Sequence, residues 1–257
     1  MKRKQGFSVA GVIIGIVVVA FLVIATCAVI NGNNNITNYN DYDFYSIIEP
    51  SADNGNIGDH VKGNADAPVL IFEYADYQCP GCASINPEVN KAVEELDGKL
   101  AVVYRSFLLS YHQNGTAAAS AAEAAGLQGY WKEYADKLFL EQAEWQYATA
   151  SERTDLFNKY FEEVTGGKGD TEKFEKDLAS ENVSKKISFD MGIGKRIEVP
   201  ATPAFYIDGQ FIDWGNTDQS DSDSVTINGK IISWEGPLTK DGFTKLLKDI
   251  VAAKLEK

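Results

Sequence analysis

The chain has 257 residues, 44% of them apolar and including thirteen Phe and twelve Tyr, which is enough to bury a core and excludes a wholly disordered protein. A formal net charge of −13 and a pI near 4.6 leave no basic stripe to displace phosphate counterions, so nucleic acid is excluded as a partner. The length allows one domain with an insertion or two small domains.

The one basic region is Lys2-Arg3-Lys4, followed by a run over residues 7–30 without a charged side chain. At about 1.5 Å per helical residue, this run covers a hydrocarbon core of roughly 30 Å. Flanking positive charge stays on the cytoplasmic side. The expected organisation is a cytoplasmic tail at 1–6, a transmembrane anchor at 7–30 and an extracytoplasmic remainder, placing the protein as single-pass in a bacterial cell membrane. A cleaved signal peptide competes, but its apolar stretch usually runs about 7–15 residues, and no small-x-small cleavage site follows here. Lipidation at Cys27 is a third reading, weakened by Thr26 before it and by the apolar residues after it.

Residues 31–58 are rich in Asn, Asp, Gly and Ser and read as a polar linker, with an aromatic patch over 42–48 able to dock on the domain at 59–257. The nearly continuous apolar run over 68–74 suits a strand buried on both faces and points to a parallel sheet. Ile85, Val89, Ala92, Val93 and Leu96 form a helical stripe, with Gly98 as its stop. Residues 100–107 read as a second strand. Strand, helix and strand form a crossover unit, with Cys79-Pro80-Gly81-Cys82 where the first strand meets the helix.

From about 115 to 196 the pattern is Ala-rich and amphipathic, with helices expected over 117–127, 130–141, 152–164 and 171–182, an inserted helical domain. Trp131, Tyr134 and Phe139 have the spacing of core residues. Strand character returns at 204–207, followed by a turn at Asp208-Gly209 and a return strand at 210–214. The acidic stretch 213–223 reads as a solvated loop, because Asp213, Asp218, Asp221 and Asp223 match no standard calcium loop. A hairpin turning at Asn228-Gly229 and an amphipathic helix over 239–255, with Thr239 as its cap, close the chain.

Two cysteines with two residues between them, and no further pair outside the apolar run, cannot form a multi-disulfide framework. Half of a zinc site is the competing reading. Only His60 and His112 remain to complete it, so no metal is expected. Disulfides exchange through a thiolate, and a sulfur at a helix N-terminus sits near unpaired N–H groups and the positive end of the helix dipole. Cys79 is therefore assigned as nucleophile and Cys82 as resolving thiol, with Pro80 suited to the first helical turn.

These motifs resemble the DsbA family of thioredoxin-fold disulfide oxidoreductases, especially the membrane-anchored bacterial proteins of the BdbD type. The resemblance covers most of residues 60–257. It rests on Gly63-Asn64-Ala65-Asp66-Ala67-Pro68-Val69, on Phe72-Glu73-Tyr74 leading to the cysteine pair, and on Val199-Pro200-Ala201-Thr202-Pro203-Ala204-Phe205. It implies an α/β thioredoxin-like fold with an inserted helical domain, here preceded by the N-terminal transmembrane helix. It also implies a cis peptide before Pro203, whose loop stands beside the cysteines so that Thr202 pairs with an extended substrate. Glu73 falls where the family carries a buried acid, able to relay the proton of Cys82; a surface strand acid is the alternative. His112, near a family histidine, is read as a hydrogen-bonded structural residue.

Gly81 departs from the Pro-His dipeptide of strongly oxidising members, and no imidazole stabilises the thiolate. Potentials of such sites span roughly −120 to −270 mV, so the fold leaves the direction of electron flow open. The expected function is an extracytoplasmic dithiol oxidase forming disulfides in secreted or surface proteins, with no cofactor and a monomeric state. A membrane quinone-linked partner of the DsbB or vitamin K epoxide reductase type would reoxidise it. A reductase or isomerase is the alternative, and a non-enzymatic surface module with a structural disulfide is the third reading.

Overall fold

A computed structural model describes residues 37–213, 222–235 and 240–256. The expected tail and anchor at 1–30, Asp218, Asp221 and the Thr239 cap lie outside the described residues. Among the described residues no helix is long and apolar enough to cross a membrane. The chain divides into two units, 1–38 and 39–257, and the elements below belong to the second.

Five strands form the main sheet: β1 (His60–Gly63), β2 (Val69–Ala75), β3 (Leu100–Ser106), β4 (Ala204–Ile207) and β5 (Gln210–Ile212), in the order β1-β3-β2-β4-β5. Only β2 and β3 run parallel, joined by helix α1 (Pro80–Glu95); β1, β4 and β5 pair antiparallel with their neighbours. The parallel sheet expected from the apolar run is thus a mixed one. β2 is buried on both faces because it is central, which gives it the apolar signature of a parallel strand.

One face of β2 sends Val69 and Ile71 into a core with Ile85, Val89 and Ala92 of α1 and with Phe243, Leu247 and Ile250 of the C-terminal helix, α8 (Lys240–Leu255). The hairpin β6 (Ser222–Ile227) and β7 (Lys230–Glu235) adds Val225, Ile227, Ile232 and Trp234 to that core. The other face packs Phe72 and Tyr74 against Phe189 and Ile193.

Between β3 and β4 lie six helices: α2 (Gly115–Gly126), α3 (Trp131–Leu140), α4 (Gln142–Trp145), α5 (Ala150–Thr165), α6 (Thr171–Asp177) and α7 (Glu181–Arg196). Trp131, Tyr134 and Phe139 are buried in their core. The single helix expected over 171–182 is two helices. Asp170 caps α6 by accepting from the Lys173 N–H, and Ser180 starts α7 by accepting from the Val183 N–H.

The segment from Tyr39 to Ile57 carries Tyr39, Tyr42, Phe44, Tyr45 and Ile48 onto the core around Phe72 and Phe189. Arg105, fully buried on β3, donates to the carbonyls of Phe44 at 2.6 Å and Ser46 at 2.9 Å and to Asp59 at 2.7 Å. Lys186 also meets Asp59, at 3.2 Å, and Asp190 at 2.7 Å. Although burial opposes ionisation, these two cations hold the Asp59 carboxyl below its usual range. The buried charges are therefore paired, as burial requires.

Candidate active site

Helix α1 begins at the cysteine motif because its first position needs no N–H and Pro80 has none to lose. Cys79 is the N-cap residue, with extended backbone (φ −74°, ψ 122°), and Cys82 lies one turn in. Both are free thiols; Cys79 is 7% exposed and Cys82 is wholly buried.

The Thr202–Pro203 peptide is cis, and the Cys79 thiol donates to the Thr202 carbonyl at 3.2 Å. The structure thus brings Cys79, Cys82, Pro80, Gly81, Thr202 and Pro203 into one site. A Cβ on Gly81 would stand 3.2 Å from Pro203 Cδ and 3.7 Å from Cys79 Sγ. A side chain on Gly81 would press on Pro203 and require it to shift by a few tenths of an ångström, so the proline loop sits close over the motif.

The two thiols are driven apart electrostatically. Donation from the Cys82 thiol is the largest effect on Cys79; burial opposes it, and Thr202 and the Cys82 and Gly81 N–H groups add to it. Together they lower the Cys79 pKa to about 5. Burial, followed by the bond to Cys79, pushes Cys82 well above the ordinary thiol range. The reduced site therefore favours ionisation at position 79 over position 82.

Glu73 is fully buried on β2, so the reading of a surface acid does not hold. It faces Tyr104 across the β2–β3 register, and neither carboxylate oxygen has a hydrogen-bond partner. Burial raises its pKa, with the Lys62 ammonium opposing. Lys62, also buried, donates to Asn86 of α1 and lies 3.7 Å from Asp136. The Glu73 carboxyl, unpaired and buried, acts electrostatically on Cys82 and holds its proton more tightly than an exposed acid does.

His112 bonds through Nδ1 to Asp76 at 2.8 Å. Asp76, three residues before Cys79, also accepts from the Gln78 and Leu109 N–H groups, both at 2.9 Å. His112 thereby ties its loop to the strand leading into the motif. The sequence reading missed Asp76, for which its place just before the turn is the available signal. It also missed Gln78, Asn114 and Gln142, whose side-chain amides join the motif to the helical insertion. Among the described residues no group of three His, Cys, Asp or Glu side chains could hold a metal ion.

A thiolate-forming cysteine at a helix N-terminus, covered by a cis-proline loop on a thioredoxin-like sheet, defines the class as that of thiol–disulfide oxidoreductases. A family model described as thioredoxin matches residues 55–249, and the chain belongs to that family.

Among solved structures, the chain is similar to oxidised BdbD from Bacillus subtilis, with a TM-score of 0.55 at 18% identity, covering 82% of this chain and 100% of that one. Similarity to alpha-DsbA1 of Wolbachia pipientis has a TM-score of 0.54 at 20% identity, covering 77% and 92%. A thioredoxin-like oxidoreductase from Silicibacter pomeroyi DSS-3 gives 0.52 at 20%, covering 74% and 91%. These likenesses are of fold.

Among curated proteins, a stretch of 156 residues is 32% identical to the Na(+)/H(+) antiporter NhaA 1 of Salinispora arenicola, covering 59% of this chain and 22% of that protein. NhaA of Herminiimonas arsenicoxydans is 30% identical over 168 residues, covering 65% and 25%. The chain spans a quarter or less of the length of these antiporters. Their ion transport is not carried over to it.

Proposed function

We propose that this chain is an extracytoplasmic dithiol oxidase that introduces disulfides into secreted or surface proteins. The observation that carries the proposal is the asymmetry of the pair: a Cys79 sulfur favoured as thiolate above a buried Cys82 thiol. A substrate thiolate attacks Cys79 Sγ of the oxidised pair, the Cys79–Cys82 bond breaks and Cys82 leaves with the electron pair. Glu73, whose proton affinity burial raises, supplies the proton that Cys82 takes up. The second substrate thiolate then attacks the substrate sulfur of the mixed disulfide, and Cys79 departs as a stable thiolate. The substrate loses two electrons and the pair gains them.

A thiolate favoured at about pH 5 stabilises the reduced site at pH 7 by roughly two decades, about 3 kcal/mol or ~60 mV for a two-electron couple. This bias favours accepting electrons. The uncharged run at 7–30 supports membrane anchoring and an outer location, and reoxidation would fall to a membrane quinone-linked partner of the DsbB or vitamin K epoxide reductase type. Gly81, which supplies no imidazole, favours the second reading of a reductase or isomerase. Equilibration with glutathione tests the choice. A potential towards about −120 mV supports an oxidase, whereas one near −270 mV would sink that assignment and leave the exchange chemistry standing.

A further inference from the structure

The turn that presents Cys79 is held from outside the sheet. Gln142, the first residue of α4, is 7% exposed, and its side-chain nitrogen donates to two main-chain carbonyls, Tyr77 O at 2.7 Å and Cys79 O at 3.1 Å. The Cys79 carbonyl also accepts the Ala83 N–H at 3.1 Å, the first bond of α1. Gln142 thus acts at the point where the turn becomes the helix.

Its own position is fixed by the insertion. Trp145, three residues on, is fully buried, donates to the Leu138 carbonyl at 2.8 Å and meets Phe157 edge-on at 5.7 Å. A second set of amides runs beside it. Gln78 donates to Gln146 O at 2.7 Å and accepts from the Asn114 N–H at 2.6 Å, while Asn114 donates to the carbonyls of Trp145 and Ala148. Short helix α4 and the loop after it are therefore joined side by side to residues 77–79.

This arrangement bears on charge at the sulfur. The Gly81 and Cys82 N–H groups favour the thiolate, and their aim depends on how the turn that precedes them is held. The peptide between Cys79 and Pro80 has no N–H, so its plane is held only through its oxygen, by Ala83 and Gln142. An amide donor on that oxygen, and on the Tyr77 oxygen, fixes both peptide planes and with them the aim of the first N–H groups of the helix.

We propose that Gln142 is a positioning residue for the thiol–disulfide chemistry, making the reactivity of Cys79 depend on the helical insertion through two backbone carbonyls. The inference deepens the oxidoreductase reading and rests on it. Gln142 touches no reacting atom; it acts through the turn.

The test is the pH profile of Cys79 alkylation by iodoacetamide in the reduced full-length chain, comparing wild type with Gln142→Met. The ratio of the rate at pH 5 to that at pH 8 cancels differences in intrinsic nucleophilicity. A midpoint raised by one unit lowers this ratio about fivefold, and that is the expected result. Gln142→Leu carries the test if Gln142→Met does not fold; its side chain has no donor at either pH, so the ratio falls about as far. A variant that melts at lower temperature yet keeps the wild-type ratio would show a purely structural role and overturn the proposal. Wild-type protein unable to exchange with a peptide disulfide would sink the oxidoreductase reading instead, while the alkylation ratio still reports on Gln142.

Discussion

Lowering the pH from 7 to 5 should selectively weaken the reduced protein. Cys79 is lowered to about 5 in the folded reduced chain, against 9.0 for an ordinary cysteine thiol. Because the folded pKa is depressed, the thiolate contributes stability that is complete above pH 9 and lost as the pH falls through 5. Linkage gives about 2.7 kcal/mol at pH 7 and about 0.4 kcal/mol at pH 5. Oxidised protein has no thiol at position 79 and lacks this contribution, while most other groups titrate alike in both forms and cancel. Urea unfolding of reduced and oxidised chains at the two pH values isolates the effect. The reduced-minus-oxidised stability difference should fall by about 2 kcal/mol on going to pH 5. A difference constant to within about 0.5 kcal/mol would refute the account of Cys79.

Other residues carry their own expectations. Glu73→Gln removes the carboxyl proposed to pass a proton to Cys82; stopped-flow measurement should show slower, less pH-dependent release of Cys82 from the disulfide, and an unchanged profile would remove Glu73 from the mechanism. Asp59→Asn leaves Arg105 and Lys186 short of a shared buried anion and should cost about 3–5 kcal/mol in chemical denaturation.

The start of α1 was legible because its signals are local: Pro80 at the first position, an apolar stripe and a preceding apolar strand. The same holds for the turn at Asn228-Gly229, where both residues have positive φ. β1 was missed. Its four residues, His-Val-Lys-Gly, carry a lysine that is buried only because Asn86 and Asp136 come to meet it from α1 and α3. Glu73 could not be oriented from sequence, since a strand buried on both faces has no alternation to mark its direction. The break between α6 and α7 turned on a single capping serine, Ser180, within a continuous amphipathic pattern. The amides of Gln78, Asn114 and Gln142 were silent because their partners are backbone groups distant in sequence.

The most direct test of the central claim is capture of the exchange intermediate with the Cys82→Ala chain. Mixed with a reduced substrate peptide and a mild oxidant, it should accumulate a mixed disulfide that dithiothreitol releases and peptide mapping places on Cys79. Failure to form that adduct, with Cys79 shown to be accessible to alkylation, would contradict Cys79 as the exchanging sulfur.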